Sequence, residues 1–219
     1  MSIIFHKLEN AKDDFIRIIR DNGGTERDEG HDFPWPNYIF QSNNFRRAHL
    51  DIVDARETKK LYMMHLCIFP NTCSDSPIYG FDIIAGPNKV TGAFHDFSPT
   101  TNKNHDLCKF FEASVSDLSW SKKRNLPDWA MNIFSKDMVA AGNISEPEEL
   151  DSIIELATNN LSTYLLNVGN DKDSNSIDAQ NYYCENQRMN PHTPKVMEAL
   201  GFDAQTVEKF IKECLFPTL

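Results

Sequence analysis

Five apolar segments separated by short breaks lie between residues 37 and 98, and they constrain the fold more than any other feature of the sequence. In chain order they are NYIFQSN, FRRAHLDIVD, KLYMMHLCIF, IYGFDIIAG and KVTGAFHDFS. The breaks contain turn-forming residues, for example Asn43-Asn44 and Gly86-Pro87-Asn88. Because parallel strands need long crossover connections, strands joined this closely predict an antiparallel meander.

Helical patterns flank these strands. The N-terminal segment MSIIFHKLENAKDDFIRIIRDNGG predicts an amphipathic helix, and its acidic residues are not typical of signal or transit peptides. After the strands, Ser145-Glu146-Pro147-Glu148 predicts a capping box that starts a helix reaching Leu165. Further helices are predicted around Tyr183, from Thr193-Pro194 to Gly201, and from Asp203 to Cys214.

This order of elements predicts an α+β fold in which helices pack on a central antiparallel sheet. The strand IYGFDIIAG is apolar on both of its faces, so helices should cover both faces and form a three-layer α/β/α sandwich. At 219 residues the chain can bury a substantial core, either as one large domain or as two small ones.

Composition excludes several classes of function. Hydrophobic residues make up 40% of the chain and charged residues 25%, which is typical of a soluble globular protein. No apolar run approaches the ~20 residues that a membrane-spanning helix needs, so we expect a cytoplasmic protein that does not enter a membrane. The net charge of −10 argues against nucleic acid as a partner. The five cysteines are odd in number and form no C-x-x-C pair, which argues against a disulfide framework or a zinc ribbon.

The positive charge is concentrated in three short clusters: Arg46-Arg47, Lys59-Lys60 and Lys122-Lys123-Arg124. Each cluster alone is typical of a solvated loop end. Together they could form a local docking face for an acidic partner.

Polar residues interrupt the apolar strands at positions that alternation brings to one face of the sheet. His49 and Asp51 share a face of their strand, and His65 and Asp82 lie on the next two strands. Three interpretations are open: a half-exposed polar sheet face, a metal site of two histidines and a carboxylate, or a cofactor-free proton-transfer site. Asp82 lies in a strand that is apolar on both sides, which fits the first interpretation poorly. The adjacent His95-Asp96 pair is interpreted as a strand-end and turn feature.

Several of these segments resemble one known family. FRRAHLDI, LYMMHLCIFP, YGFDIIAGPNKVTGAFHDFSP, RNLPDW and YYCENQRMNPHTPKVMEALG are similar, in order and spacing, to motifs of the ferredoxin-dependent bilin reductases. The resemblance covers roughly residues 35–135 and 180–202, and the third of these runs is long and specific to the family. It implies a single bilin reductase domain over residues 1–219, with the sheet between two helical layers.

The resemblance also implies an activity. Biliverdin IXα would bind between the sheet and the C-terminal helices, with no bound flavin or metal. Reduced ferredoxin would supply single electrons, and protein side chains would supply protons to the bilin radicals. We expect a monomer whose partners are biliverdin IXα and ferredoxin.

Individual residues correspond to functional positions of the family. Asp82 matches its central aspartate and His65 the partner histidine, so both are candidate catalytic residues. His49 lies in the matching stretch before Asp51, and Arg124 matches an arginine that holds a substrate propionate. Asn190 and His192, in the C-terminal motif, are further candidates for substrate binding.

Two departures from the family pattern bear on the product. Phycocyanobilin-forming members have a glutamate where this chain has Asp51, a candidate catalytic residue with a side chain one methylene shorter. In those members the glutamate serves reduction of the exocyclic vinyl group. The C-terminal motif reads Asn190-Pro191-His192 and lacks the second aspartate of phycoerythrobilin-forming relatives.

Short viral members of the family combine a phycocyanobilin-type sequence with phycoerythrobilin as product, which makes phycoerythrobilin the expected product here. The alternatives are phycocyanobilin, a bilin carrier that does not reduce its ligand and, more distantly, a metallohydrolase.

Overall fold

The computed structural model describes residues 2–170 and 174–219. Its centre is one antiparallel sheet in which neighbouring strands follow one another along the chain. The strands are β1 (Thr25–Glu26), β2 (Asn37–Gln41), β3 (Phe45–Ala55), β4 (Leu61–Pro70), β5 (Ile78–Ala85), β6 (Val90–Ser98) and β7 (Val139–Ala141). The predicted five-strand meander is confirmed as β2 to β6. The sequence patterns missed β1 and β7, which are too short to show alternation.

Helices precede and follow the sheet, and three short ones lie between its strands: α2 between β3 and β4, and α3 and α4 between β6 and β7. They are α1 (Ile3–Asp21), α2 (Arg56–Lys59), α3 (Asp106–Val115), α4 (Asp128–Met131), α5 (Pro147–Asn167), α6 (Ile177–Gln187), α7 (His192–Ala199) and α8 (Ala204–Lys209). The last helix continues as a π-helix over Phe210–Leu215. In the described part of the chain, none of these helices has the length and apolarity needed to cross a membrane.

Each face of the sheet has its own hydrophobic core, because side chains alternate along every strand. On one face, α1, α3 and α5 pack against residues such as Leu66 and Phe81. On the other, α6 and the C-terminal helices pack against residues such as Cys67 and Phe69. The expected α+β three-layer arrangement is confirmed.

The predicted helix starts were correct in one case out of three. Asp203 caps α8 by accepting a hydrogen bond from the Thr206 N–H. The capping box at Ser145 does not form, because Glu146 is the N-cap of α5 and the Ser145 hydroxyl bonds to the Glu146 side chain instead. Helix α7 begins at His192, so Thr193 lies inside its first turn rather than at its cap.

Candidate active site

The strand register brings the candidate catalytic residues into one row. Asp51 on β3 is the register partner of His65 on β4, and His65 is the partner of Asp82 on β5. Asn37 on β2 extends the row at one end and Phe94 on β6 at the other. Register partners on neighbouring antiparallel strands point to the same face, which here is the face beneath the C-terminal helices. Two acids therefore flank one imidazole across three strands.

Asp51 is buried and held by a residue of the preceding loop. The indole N–H of Trp35 donates to Asp51 Oδ1 at 2.6 Å. Burial raises the pKa of Asp51 to about 7, and the charge of Asp82 adds to that rise, while the Trp35 hydrogen bond opposes it. At neutral pH this carboxyl group can therefore carry a proton.

Asp82 lies half-buried at the centre of the sheet. Burial also raises the pKa of Asp82 to about 7. The charge of Asp82 also contributes to the raised pKa of Asp51, so an ionised Asp82 disfavours ionisation of Asp51. A carboxyl group of this kind can donate a proton where an exposed aspartate would already be ionised.

His65, between the two acids, is kept neutral. Burial, together with the positive charge of Arg47, lowers the pKa of His65 to about 4. The Phe216 ring contacts the imidazole edge-on at a centroid distance of 5.6 Å. The buried Nδ1 atom of His65 has no hydrogen-bond partner within the described residues. This nitrogen is available to a ligand.

His49 lies two residues before Asp51 on β3 and is completely buried, and its register partner on β4 is Cys67. Its Nε2 atom lies 2.8 Å from Asn37 Oδ1, so the ring donates a proton there. Burial holds the pKa of His49 well below its usual range, and Arg47 adds to the effect. The neutral ring leaves a buried Nδ1 lone pair unsatisfied among the residues that the structure describes.

The other candidate binding residues lie apart from this row. Arg124 is exposed, with its guanidinium 5.6 Å from the centroid of the Phe94 ring, so it reaches the end of the row. Asn190 and His192 lie where α7 begins, and Asn190 Oδ1 accepts the His192 N–H at 2.9 Å. No hydrogen bond within residues 2–170 and 174–219 joins either of them to the row.

The interpretation of His95-Asp96 as a strand-end feature was wrong. Both lie inside β6 and are buried, on opposite faces of the sheet. His95 faces α5 and contacts Asn160 at 3.1 Å. Asp96 accepts hydrogen bonds from Ser98 and Ser135, and burial raises the pKa of Asp96 to about 6.

Sequence reasoning missed three residues that shape the site: Trp35, Asn37 and Phe216. Trp35 comes from the loop before β2 and Asn37 is the first residue of β2, and they hold Asp51 and His49 in place. Phe216 comes from the C-terminal end, beyond the segments that carry the resemblance. No periodicity marks any of them, since each acts through a contact far along the chain.

Metal ligands do not gather at this site. Among the residues described, no group of three or more His, Cys, Asp or Glu side chains is arranged to hold a metal ion.

Fold and site define an α+β enzyme whose central sheet carries acid–base groups beneath a helical layer. The chain belongs to the ferredoxin-dependent bilin reductases, since the model of that family matches residues 22–217. It is therefore an oxidoreductase of that class.

Comparisons with individual relatives and solved structures are consistent with this family assignment. The phycocyanobilin:ferredoxin oxidoreductase of Prochlorococcus marinus is 31% identical over 86% of this chain and 77% of the relative. That of Gloeobacter violaceus is 29% identical over 86% and 76%. The solved structure of PcyX is 35% identical, with a TM-score of 0.72 over 97% of this chain and 99% of the other. Tomato phytochromobilin synthase, solved in complex with biliverdin, shares the fold at 14% identity and a TM-score of 0.72.

Proposed function

We propose that the protein reduces biliverdin IXα by four electrons to phycoerythrobilin, taking the electrons one at a time from reduced ferredoxin. The observation that carries the proposal is the row Asp51–His65–Asp82, in which two carboxyl groups of near-neutral pKa flank an imidazole. A bilin lying on this face beneath α6 to α8 would have proton donors against its conjugated system. The protein itself then holds no flavin and no metal.

Electron and proton transfer must alternate in this scheme. Each of the two double bonds that are reduced takes up two electrons and two protons. A bilin that has gained one electron is a radical of greater basicity, and Asp82 can protonate it because its pKa of about 7 leaves the carboxyl group partly protonated at neutral pH. Neutral His65 can pass a further proton from Asp51 to Asp82 before the next electron arrives.

Asp51 supports phycoerythrobilin as the product. Its carboxylate is shorter than the glutamate of phycocyanobilin-forming members, and the 2.6 Å hydrogen bond to Trp35 holds it at the sheet. An acid held in this way is poorly placed to reach an exocyclic vinyl group. Phycocyanobilin is the second candidate product, and the names of the Prochlorococcus and Gloeobacter relatives favour it.

Spectroscopy of the mixed components tests the proposal. We expect the purified protein to be colourless, to contain no stoichiometric iron or zinc by metal analysis, and to bind biliverdin about one to one with a large change in the visible band. Adding a reduced ferredoxin system should then consume the biliverdin. A spectrum that changes on binding but never on reduction would identify a carrier, and stoichiometric metal would refute the metal-free scheme.

Chromatography of the products tests the role of Asp51. We expect wild-type protein to yield phycoerythrobilin, and Asp51→Glu to raise the share of product reduced at the exocyclic vinyl group. The reason is that glutamate restores the missing methylene of reach. An unchanged product profile would mean that Asp51 does not decide which double bond is reduced.

A further inference from the structure

We infer that Gly92 and Gly142 are positioning residues: they form a slot in which the Arg124 side chain lies, so that its guanidinium is held ready for a substrate carboxylate. This inference rests on the proposed function, in which the substrate is a bilin with two propionate groups. We call the pair Gly92 and Gly142 the glycine slot.

The backbone of Arg124 is fixed beyond the edge of the sheet. Its N–H donates to the Ala140 carbonyl at 2.9 Å, and the Gly142 N–H donates to the Lys122 carbonyl at 2.9 Å. An isolated antiparallel bridge between Lys123 and Ala141 lies between these bonds. Residues 122–124 therefore extend the sheet past β7, and the Arg124 side chain starts from a fixed point.

From this point the side chain passes over both glycines. An ideal Cβ on Gly142 would lie 3.0 Å from Arg124 Cδ and 3.1 Å from Cγ. An ideal Cβ on Gly92 would lie 2.7 Å from Arg124 Nη1. The stem of the arginine thus occupies the space of one missing side chain, and its head group occupies the space of the other.

The guanidinium that this slot positions has no partner of its own. Within the described residues it makes no ion pair and no hydrogen bond, and its contact is with the face of Phe94. Phe94 is the register partner of Asp82, so the cation lies at the end of the row of acids. An unpaired arginine beside an acid–base site is suited to binding a carboxylate through two parallel hydrogen bonds.

The slot would act by preorganisation. An arginine free in solvent loses substantial rotamer freedom when it binds, and a side chain already packed along the sheet loses less. Neither glycine has a positive φ, so alanine can adopt the backbone conformation at both positions. At Gly142 the tightest contacts of an added methyl group would be with the flexible arginine, ahead of the Thr91 carbonyl oxygen at 3.3 Å, whereas at Gly92 the methyl group would also meet Phe94 Cε2 at 3.0 Å.

Binding titrations with two ligands test the slot: biliverdin IXα, and its dimethyl ester, whose propionates carry no charge. We expect the wild-type protein to bind the diacid about tenfold or more tightly than the ester. Gly142→Ala, Gly92→Ala and Arg124→Gln should each lose most of that preference while binding the ester as before. Gly86→Ala is the matched control, because its Cβ would meet backbone oxygens at an ordinary 3.7 Å and 3.8 Å.

The double variant Gly142→Ala/Arg124→Gln makes the test specific. If the glycine acts through the arginine, Gly142→Ala should have no further effect once Arg124 has been replaced. Glycine variants that keep the wild-type preference, or a wild type without any preference, would overturn the inference and leave the proposed function standing.

The remaining outcomes also test the inference or the proposed function. A wild type that binds neither ligand would refute the proposed function and this inference with it. Thermal unfolding reports whether each variant folds. If Gly92→Ala does not fold, the ligand preference of Gly142→Ala alone tests the inference. Failure of both to fold would show that the glycines serve the sheet itself and would overturn the inference.

Discussion

Single residues show how the row keeps protons available near neutral pH. Asp51 and Asp82 reach pKa values of about 7 for the same first reason, burial, although within the described residues only Asp51 has a hydrogen-bond donor holding it. His65 between them is shifted the opposite way, because burial disfavours its cationic form. At pH 7 both carboxyl groups are therefore partly protonated, and the imidazole is neutral.

The half-buried carboxyl group of Asp82 should lower the free energy of unfolding, and replacing it should recover part of that loss. The pKa of Asp82 is about 7 in the folded protein and near 3.8 in the unfolded chain. The folded state therefore binds more protons between these values, and stability falls as pH rises from about 4 to about 7. We expect Asp82→Asn to raise the thermal midpoint by several degrees at pH 8 and hardly at all at pH 4. The exposed Asp32→Asn is the control, and an equal effect at both pH values would contradict this account.

Trp35 should set how readily Asp51 gives up its proton. Trp35→Phe keeps an aromatic ring but removes the N–H that donates to Asp51, which should raise the pKa of Asp51 further. We expect the alkaline limb of the pH–rate profile to move to higher pH. Trp120→Phe is the matched control, since Trp120 packs on the opposite face of the sheet. Profiles that coincide for the two variants would rule out this role for Trp35.

Sequence patterns could predict which residues face one side of a strand, but not which residues lie opposite one another. Alternation put His49 and Asp51 on one face, and the charge inside an apolar strand marked Asp82. The register that joins them is set by the pairing of β3, β4 and β5 along their whole length, and a slip of one residue would separate them. The contact between Trp35 and Asp51 spans sixteen positions and has no local signal.

At the scale of elements, the C-terminal π-helix holds one wall of the site. Arg47 donates to the Cys214 carbonyl at 2.8 Å, and Arg188 donates to the Phe216 carbonyl at 2.7 Å and 3.1 Å. These carbonyls end the helix and would otherwise lack intrahelical partners. Phe216 is thereby held against His65. π-helical turns are frequent at functional sites, and this one shapes the wall above the imidazole.

Loosening this terminus should affect both stability and turnover. Arg188→Gln removes the charged donor to Phe216, and hydrogen bonds to charged groups contribute about 1.5–3 kcal/mol. Because Arg188 is partly exposed, we expect a loss near the lower end of that range by urea unfolding, together with slower turnover. Lys212→Gln, which breaks only a surface ion pair with Glu208, is the control. Equal losses in the two variants would argue against a special role for Arg188.

Elements with clear periodic patterns or capping residues were predictable, whereas β1, β7 and the ten-residue α3 were not. The strands β2 to β6 and the helices α1 and α5 show clear periodicity, and all were predicted. Strand β7 has three residues and gains its pairing from β6, which no local pattern reveals. The sequence predicted that Ser145 caps α5, but the N-cap of this helix is Glu146.

At the scale of the whole molecule, charge is unevenly distributed on an acidic protein. Of the three basic clusters, Arg46-Arg47 is not a surface feature: Arg47 is buried and paired with Glu29, and Arg46 packs over the Phe69 ring. Lys122 and Lys123 are exposed, and no ion pair within the described residues involves them. They precede Arg124, which reaches the end of the row, so we propose their surface as the docking site of an acidic electron donor.

Charge reversal tests this surface. We expect Lys122→Glu/Lys123→Glu to raise the ferredoxin concentration needed for half-maximal turnover, with biliverdin binding unchanged. Added salt should weaken the wild-type interaction, because the Debye length is about 10 Å at 0.1 M. Lys59→Glu/Lys60→Glu, an exposed basic pair beside β4, is the matched control. Turnover that is indifferent to salt would count against electrostatic docking.

The most direct test of the account asks whether Asp82 supplies a proton to the bilin radical. Asp82→Asn keeps the shape of the side chain but has no carboxyl proton to transfer, so biliverdin should bind and the first electron should arrive. Rapid mixing with reduced ferredoxin, followed by absorption and electron paramagnetic resonance, should then show a bilin radical that accumulates because its protonation stalls. Product formation at the wild-type rate without an accumulating radical would contradict the account.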